Sequence, residues 1–213
     1  MRNSIKLSYI IGFLIIIYTV GILGLSWENS REFFTPMTPL IIIMSSMLLI
    51  IYHKQGKPIH LLIFSIVFTG GFFFEALGVN TGLIFGDYSY SDVLGWKLFD
   101  TPLLIGLNWA ILIYMIWNLM AKWKLYGWIK IFIGSAMMVA YDIVLEPFAI
   151  TYGLWKWEAV SPPIRNYIAW FVISMLFFII VRVSGITFKN KLAPYLLLIQ
   201  FLFFCILVMI NIY

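Results

Sequence analysis

Glu75 stands inside an apolar run. The stretch Phe72–Tyr90, FFFEALGVNTGLIFGDYSY, opens as hydrocarbon, carries this one acid, and then breaks into glycines, Asn80, Thr81, Asp87 and two tyrosines. A carboxyl left in the middle of a bilayer costs a few kcal/mol on insertion scales, so it needs a partner or a function. Asp142 and Glu146 repeat the pattern in a second apolar segment, four residues apart and therefore on one helix face. Asn108, Trp109, Tyr88, Thr81, Tyr141, Asn166 and Trp170 are the polar and aromatic residues at comparable positions, candidates for holding substrate or water. Burial favours the neutral form of a carboxyl, and a like charge nearby favours it further. Several acids in an apolar pocket can thus supply a proton to a weak base, while an ionised neighbour accepts one from water. Aromatic faces can stabilise a transient cation. This suits acid-catalysed addition to, or isomerisation of, an apolar alkene; proton-coupled transport would use the same acids.

The elements that must position these residues are membrane helices. Of 213 residues, 63% are hydrophobic and 11% charged, against roughly 25% charged in soluble domains. With a mean hydropathy of +1.00, the chain reads as an all-α integral membrane protein, a single polytopic domain over residues 1–213. Seven stretches approach the roughly 20 residues that cross a bilayer: Ile5–Leu25, Pro39–Tyr52, Ile59–Val79, Thr101–Ala121, Tyr126–Ile150, Ile164–Val183 and Ala193–Ile212. The second is short unless residues 33–38 complete it. The first is too long for a signal-peptide core and is read as a retained span.

Charge supports the count. With the N-terminus in the cytoplasm, ten basic residues (Arg2, Lys6, Lys54, Lys57, Lys122, Lys124, Lys130, Arg182, Lys189, Lys191) fall inside and four (Arg31, Lys97, Lys156, Arg165) outside, and Tyr213 ends outside. The expected location is the cell membrane, as a multi-pass protein. On this topology the polar residues of spans three to six share the outer half, which reads as one buried polar pocket opening outward.

The two long outer loops, 80–100 and 151–163, are rich in Gly, Tyr and Trp. Trp96, Trp155 and Trp157 are expected in an interfacial aromatic belt. Residues 83–90 alternate as a short hairpin or lid would. Asp100 is placed to cap the helix that follows, and Asp87 to be solvated. His53 and His60 flank an inner loop far from the acids. The single Cys205 allows no intrachain disulfide. No His-rich box, Gly-rich phosphate loop, Ser/His/Asp set or basic nucleic-acid patch is present, so no cofactor, no metal and no nucleic-acid partner is expected. A retinal protein would need a lysine in the last span, where none occurs, and a transporter would be expected to show inverted repeats.

The run Glu75-x-x-Gly78-x-x-Thr81-Gly82-x-x-Phe85-Gly86-x-Tyr88-x-Tyr90 resembles the signature of the membrane carotenoid-biosynthesis family, which includes hydratases acting on acyclic carotenoid ends. Pro102 with Asn108-Trp109, Asp142-x-x-x-Glu146-Pro147, and Asn166-Tyr167 with Trp170 extend the resemblance to residues 72–170. It implies a lipophilic carotenoid substrate taken from the bilayer and addition of water across the terminal C1=C2 double bond. End-group cyclisation, which begins with the same protonation, is the neighbouring alternative. On this reading Glu75, then Asp142, is the expected proton donor. Glu146 or Asn108 holds the attacking water, and Trp109 or Tyr88 faces the cation. The polyene, about as long as the hydrocarbon is thick, would lie between helices.

Overall fold

Among the described residues, seven helical segments are long and apolar enough to cross a membrane, and helices are the only open structure whose backbone is satisfied within lipid. The computed structural model describes residues 6–54 and 56–212; Arg2, Ile5 and Tyr213 lie outside them. The helices are α1 Leu7–Ser26, α2 Glu28–Phe34, α3 Thr38–Tyr52, α4 Pro58–Thr81, α5 Leu103–Leu119, α6 Gly127–Thr151, α7 Ile164–Val183 and α8 Ala193–Ile212. Between α2 and α3 the turn Thr35–Met37 is 3-10, with Pro36 at its start and Pro39 opening α3. Prolines are tolerated in a first helical turn, so α2 and α3 join into one 25-residue crossing, Glu28–Tyr52. This completes the span that looked too short.

α5 is the hub. In its spanning stretch 67% of the residues are buried within the protein, against 17% for α1. α4 lies along it, α6 pairs with α7, and α1 with α8. α4 reaches α5 closely because Gly71 has no side chain: a Cβ there would come within 2.6 Å of Trp109 Cβ. Small residues let membrane helices approach in this way. One turn further along α4, Glu75 is thereby delivered to the Trp109 indole. α4 then ends at Gly82, left-handed at φ 64°, whose N–H bonds Gly78 O at 2.8 Å. That reversal sends the loop back over the helix end.

The two long loops pair with each other. β1 Tyr88–Tyr90 is antiparallel to β4 Trp155–Trp157, with Tyr88 opposite Trp157 and Tyr90 opposite Trp155. Residues 83–90 therefore do not form a hairpin of their own; their partner strand comes from the loop after α6. A separate small hairpin joins β2 Lys97–Leu98 to β3 Thr101–Pro102. Phe99 and Asp100 form its tip, both with positive φ (50° and 57°), the conformation a two-residue type I′ turn requires. Asp100 is thus a turn residue and caps nothing: α5 begins after Pro102 without a side-chain cap.

Candidate active site

Glu75, Asp142 and Glu146 line one pocket with Tyr88, Tyr90, Asn108, Trp109, Asn166, Trp170, Trp155 and Trp157. The three acids are each at most 3% exposed, brought together from α4 and α6. Their hydrogen bonding differs.

Glu75 is fully engaged as an acceptor. Its Oε2 accepts from Tyr88 OH at 2.6 Å and Tyr90 OH at 2.9 Å, and its Oε1 accepts from Trp109 Nε1 at 2.9 Å. Glu146 Oε2 accepts from Trp155 Nε1 at 3.1 Å and Trp157 Nε1 at 2.9 Å. Asp142 Oδ2 accepts from Asn166 Nδ2 at 2.8 Å, while its Oδ1, buried from solvent, has no hydrogen-bond partner among the described residues. Trp170 stacks on Trp109 with centroids 4.2 Å apart, fixing the indole that holds Glu75.

The β1–β4 ribbon supplies four of these donors. Residues two apart on a strand share a face, so Tyr88 and Tyr90 point the same way, as do Trp155 and Trp157. One strand serves Glu75 and the other Glu146. Burial, and then the negative charge of Glu75 beside them, holds the Tyr88 and Tyr90 phenols well above their ordinary titration range, so they remain donors. Trp155 and Trp157 are correspondingly not belt residues; of the three loop tryptophans only Trp96 is out in the open, at 88% exposure. The Tyr-x-Tyr and Trp-x-Trp spacings are the sequence signal that marks both strands.

Thr81 and Tyr141 stand apart from this pocket. Thr81 is exposed at the end of α4, its hydroxyl turned back to Leu77 O. Tyr141 precedes Asp142 on α6 and so faces a different direction, into a larger apolar cavity. Neither Asn108 nor Tyr141 bonds Glu75, whose partners are Tyr88, Tyr90 and Trp109.

The acid pocket is small, about 20 Å³, enough for one water molecule. Beside it lies an apolar cavity of about 350 Å³ between α1, α3, α5, α6 and α8. Ile105, Asn108, Leu145 and Trp155 line both. Asn108 is half-buried at this junction. The site is therefore a water-sized acidic recess at the end of an apolar chamber.

Fold and site together define a multi-pass helical membrane protein with an acid chamber sealed by aromatic donors. A family model described as carotenoid biosynthesis protein matches residues 37–213, and the chain belongs to that family. Comparisons with curated proteins and with solved structures found no match.

Proposed function

We propose that this carotenoid-biosynthesis protein is a hydratase that adds water across the terminal C1=C2 double bond of an acyclic carotenoid end. The observation that carries the reading is the pairing of a one-water acidic recess with an apolar chamber through a shared wall. The chamber is within the range of small-molecule sites and accepts the apolar end; the recess has room for water and little else. A cyclase needs water kept from the cation, which a water-sized acidic void beside the reacting carbon does not favour.

Asp142 is the proton donor in this mechanism, in preference to Glu75. Both oxygens of Glu75 already accept hydrogen bonds, three in all, which suits an acceptor-only carboxylate. Asp142 Oδ1 is a fully buried carboxyl oxygen with no partner among the described residues and is free to carry a proton. That proton passes to C2, the alkene π pair forms the new C–H bond, and a tertiary cation remains at C1. The Trp109 and Tyr88 rings and the Glu75 carboxylate stabilise it. Water held between Glu146 and Asn108 attacks C1, its released proton returns to the acid pair, and the product is a tertiary alcohol. No redox equivalent is consumed.

The basic-residue asymmetry supports a site that faces the outer side of the cell membrane. The test is expression in a lycopene-producing host followed by mass analysis of the pigments. A gain of one water per reacted end supports hydration; a new pigment of unchanged mass supports cyclisation instead.

A further inference from the structure

A second cavity, about 530 Å³, lies at the opposite end of the helices from the acids. It is lined by residues of α3, α4 and α5 together with Phe188, and is overwhelmingly apolar except at its far rim. There His53 Nδ1 lies 2.8 Å from Tyr114 OH and His53 Nε2 lies 3.3 Å from His60 Nδ1. His60 and Glu75 are fifteen residues apart on α4, roughly 22 Å along its axis. The proposed chemistry makes no use of this cavity.

Its position relative to the catalytic chamber is informative. On α3 the chamber beside the acids is lined by Thr38 and Ile42, and the far cavity by Ser46 and Leu49, with His53 following at the helix C-cap. These five residues follow at steps of four, four, three and four, so they form a stripe along one face of the helix. The two cavities end one turn apart, between Ile42 and Ser46, about 6 Å along the axis. From Thr38 to His53 the stripe covers about 22 Å. α5 lines both spaces as well, with Ile105 and Asn108 on one and Ile111 and Tyr114 on the other.

We propose that the far cavity is the binding site for the unreacted end of the same polyene, so that the protein grips a long rod at both ends along α3. This rests on reading the acid recess as a polyene-end site. A long conjugated chain is stiff and narrow, and its length is comparable with the hydrocarbon thickness. A chamber of 350 Å³ beside the acids holds only part of it, and the α3 stripe carries the remainder to the second cavity. Ile50 and Leu61, which line that cavity, are 68% and 69% exposed, so it opens sideways toward lipid between α3 and α4. The polyene can therefore slide in laterally without crossing a polar surface.

The test compares lycopene with an acyclic polyene of half its length carrying the same end group. Binding to the purified full chain in detergent is followed by quenching of tryptophan fluorescence, and hydration by pigment mass. Ser46→Phe fills the far cavity from inside, and Ile50→Trp narrows it from its exposed rim, where folding is least at risk. The unsubstituted protein should bind lycopene about tenfold more tightly than the short polyene. Both variants should lose most of that preference and keep the short polyene's affinity within about twofold. Equal affinity for the two lengths in the unsubstituted protein, equal losses for both in the variants, or an undiminished preference would each overturn the proposal and show a cavity that merely holds lipid chains. Length-selective binding without hydration would contradict the reaction and not the far-end site. Hydration of both lengths at equal rates with no length preference in binding would do the reverse.

Discussion

Tyr88 and Trp157 lie opposite each other in the β1–β4 ribbon, ring centroids 4.8 Å apart, and each donates to a different carboxylate: Tyr88 to Glu75, Trp157 to Glu146. A strand pair only three residues long thus ties an acid of α4 to an acid of α6. The cover of the site and its electrostatic scaffold are the same element.

Removing donors from the ribbon should therefore affect both acids together. Trp157→Phe keeps a ring against Tyr88 but deletes the bond to Glu146, and Tyr88→Phe deletes the shortest bond to Glu75. Each is expected to lower stability by about 1.5–3 kcal/mol, the range for hydrogen bonds to charged groups. The double variant should depart from additivity by more than about 0.5 kcal/mol because the pair shares one pocket. Thermal unfolding in detergent for the four proteins measures this directly.

Glu75→Gln has a different signature. The amide places an NH₂ donor where Tyr88, Tyr90 and Trp109 present three donors, so some are left unpaired in a buried site. The expected cost is about 1–3 kcal/mol in stability. Loss of the negative charge facing the cation should also lower pigment hydration by about a hundredfold or more. Product formation per folded protein, read by pigment mass beside the unfolding midpoint, separates the two effects.

Asn108 stands where the recess meets the chamber, half-buried. Asn108→Leu should leave stability within about 1 kcal/mol, since no cavity opens and no charge is stranded. On the proposed reaction, in which the Asn108 amide orients water against C1, it should lower hydration about tenfold or more. Undiminished hydration in this variant would separate Asn108 from the reaction.

The ribbon tyrosines give a pH dependence with a definite sign. Tyr88 and Tyr90 hold their protons in the folded protein well beyond the ordinary phenol value near 10. In the unfolded chain they release them there, so over that window the unfolded state binds fewer protons and stability falls as pH rises. The unfolding midpoint should fall as pH rises past about 10 and keep falling above it, and fall less in the Tyr88→Phe, Tyr90→Phe double variant. Ultraviolet titration of phenolate should show two fewer late-ionising groups in that variant.

Much of this architecture is legible in hydropathy. α7 and α8 coincide with the expected spans because apolar length and flanking prolines or lysines bound them sharply. The crossing of α2 and α3 is harder to see, because Glu28, Arg31 and Glu32 make its first turns polar while two prolines suggest a break. Within the site, Glu75, Asp142 and Glu146 stand out because an acid in an apolar run has few bland explanations. The ribbon donors are concealed for the opposite reason: a tryptophan or tyrosine at a membrane boundary is ordinary, and the pairing of β1 with β4 joins segments nearly seventy residues apart. No local pattern announces that contact. Thr81 and Tyr141 illustrate the limit of depth as a guide. Tyr141 adjoins Asp142 in sequence yet faces away, since adjacent helix positions differ by about 100°, and Thr81, six residues past Glu75, lies at the exposed end of α4.

The proposed hydration turns on Asp142 handing a proton to an alkene carbon. The most direct measurement is a reaction of the purified protein with lycopene in heavy water, run for the unsubstituted chain and for Asp142→Asn. The unsubstituted protein should yield a tertiary alcohol with one deuterium retained on C2 at each reacted end. Asp142→Asn should fold and bind pigment but form product at least about a hundredfold more slowly. A full yield of hydrated pigment from Asp142→Asn, or a product of the unsubstituted protein that contains no added water, would contradict it.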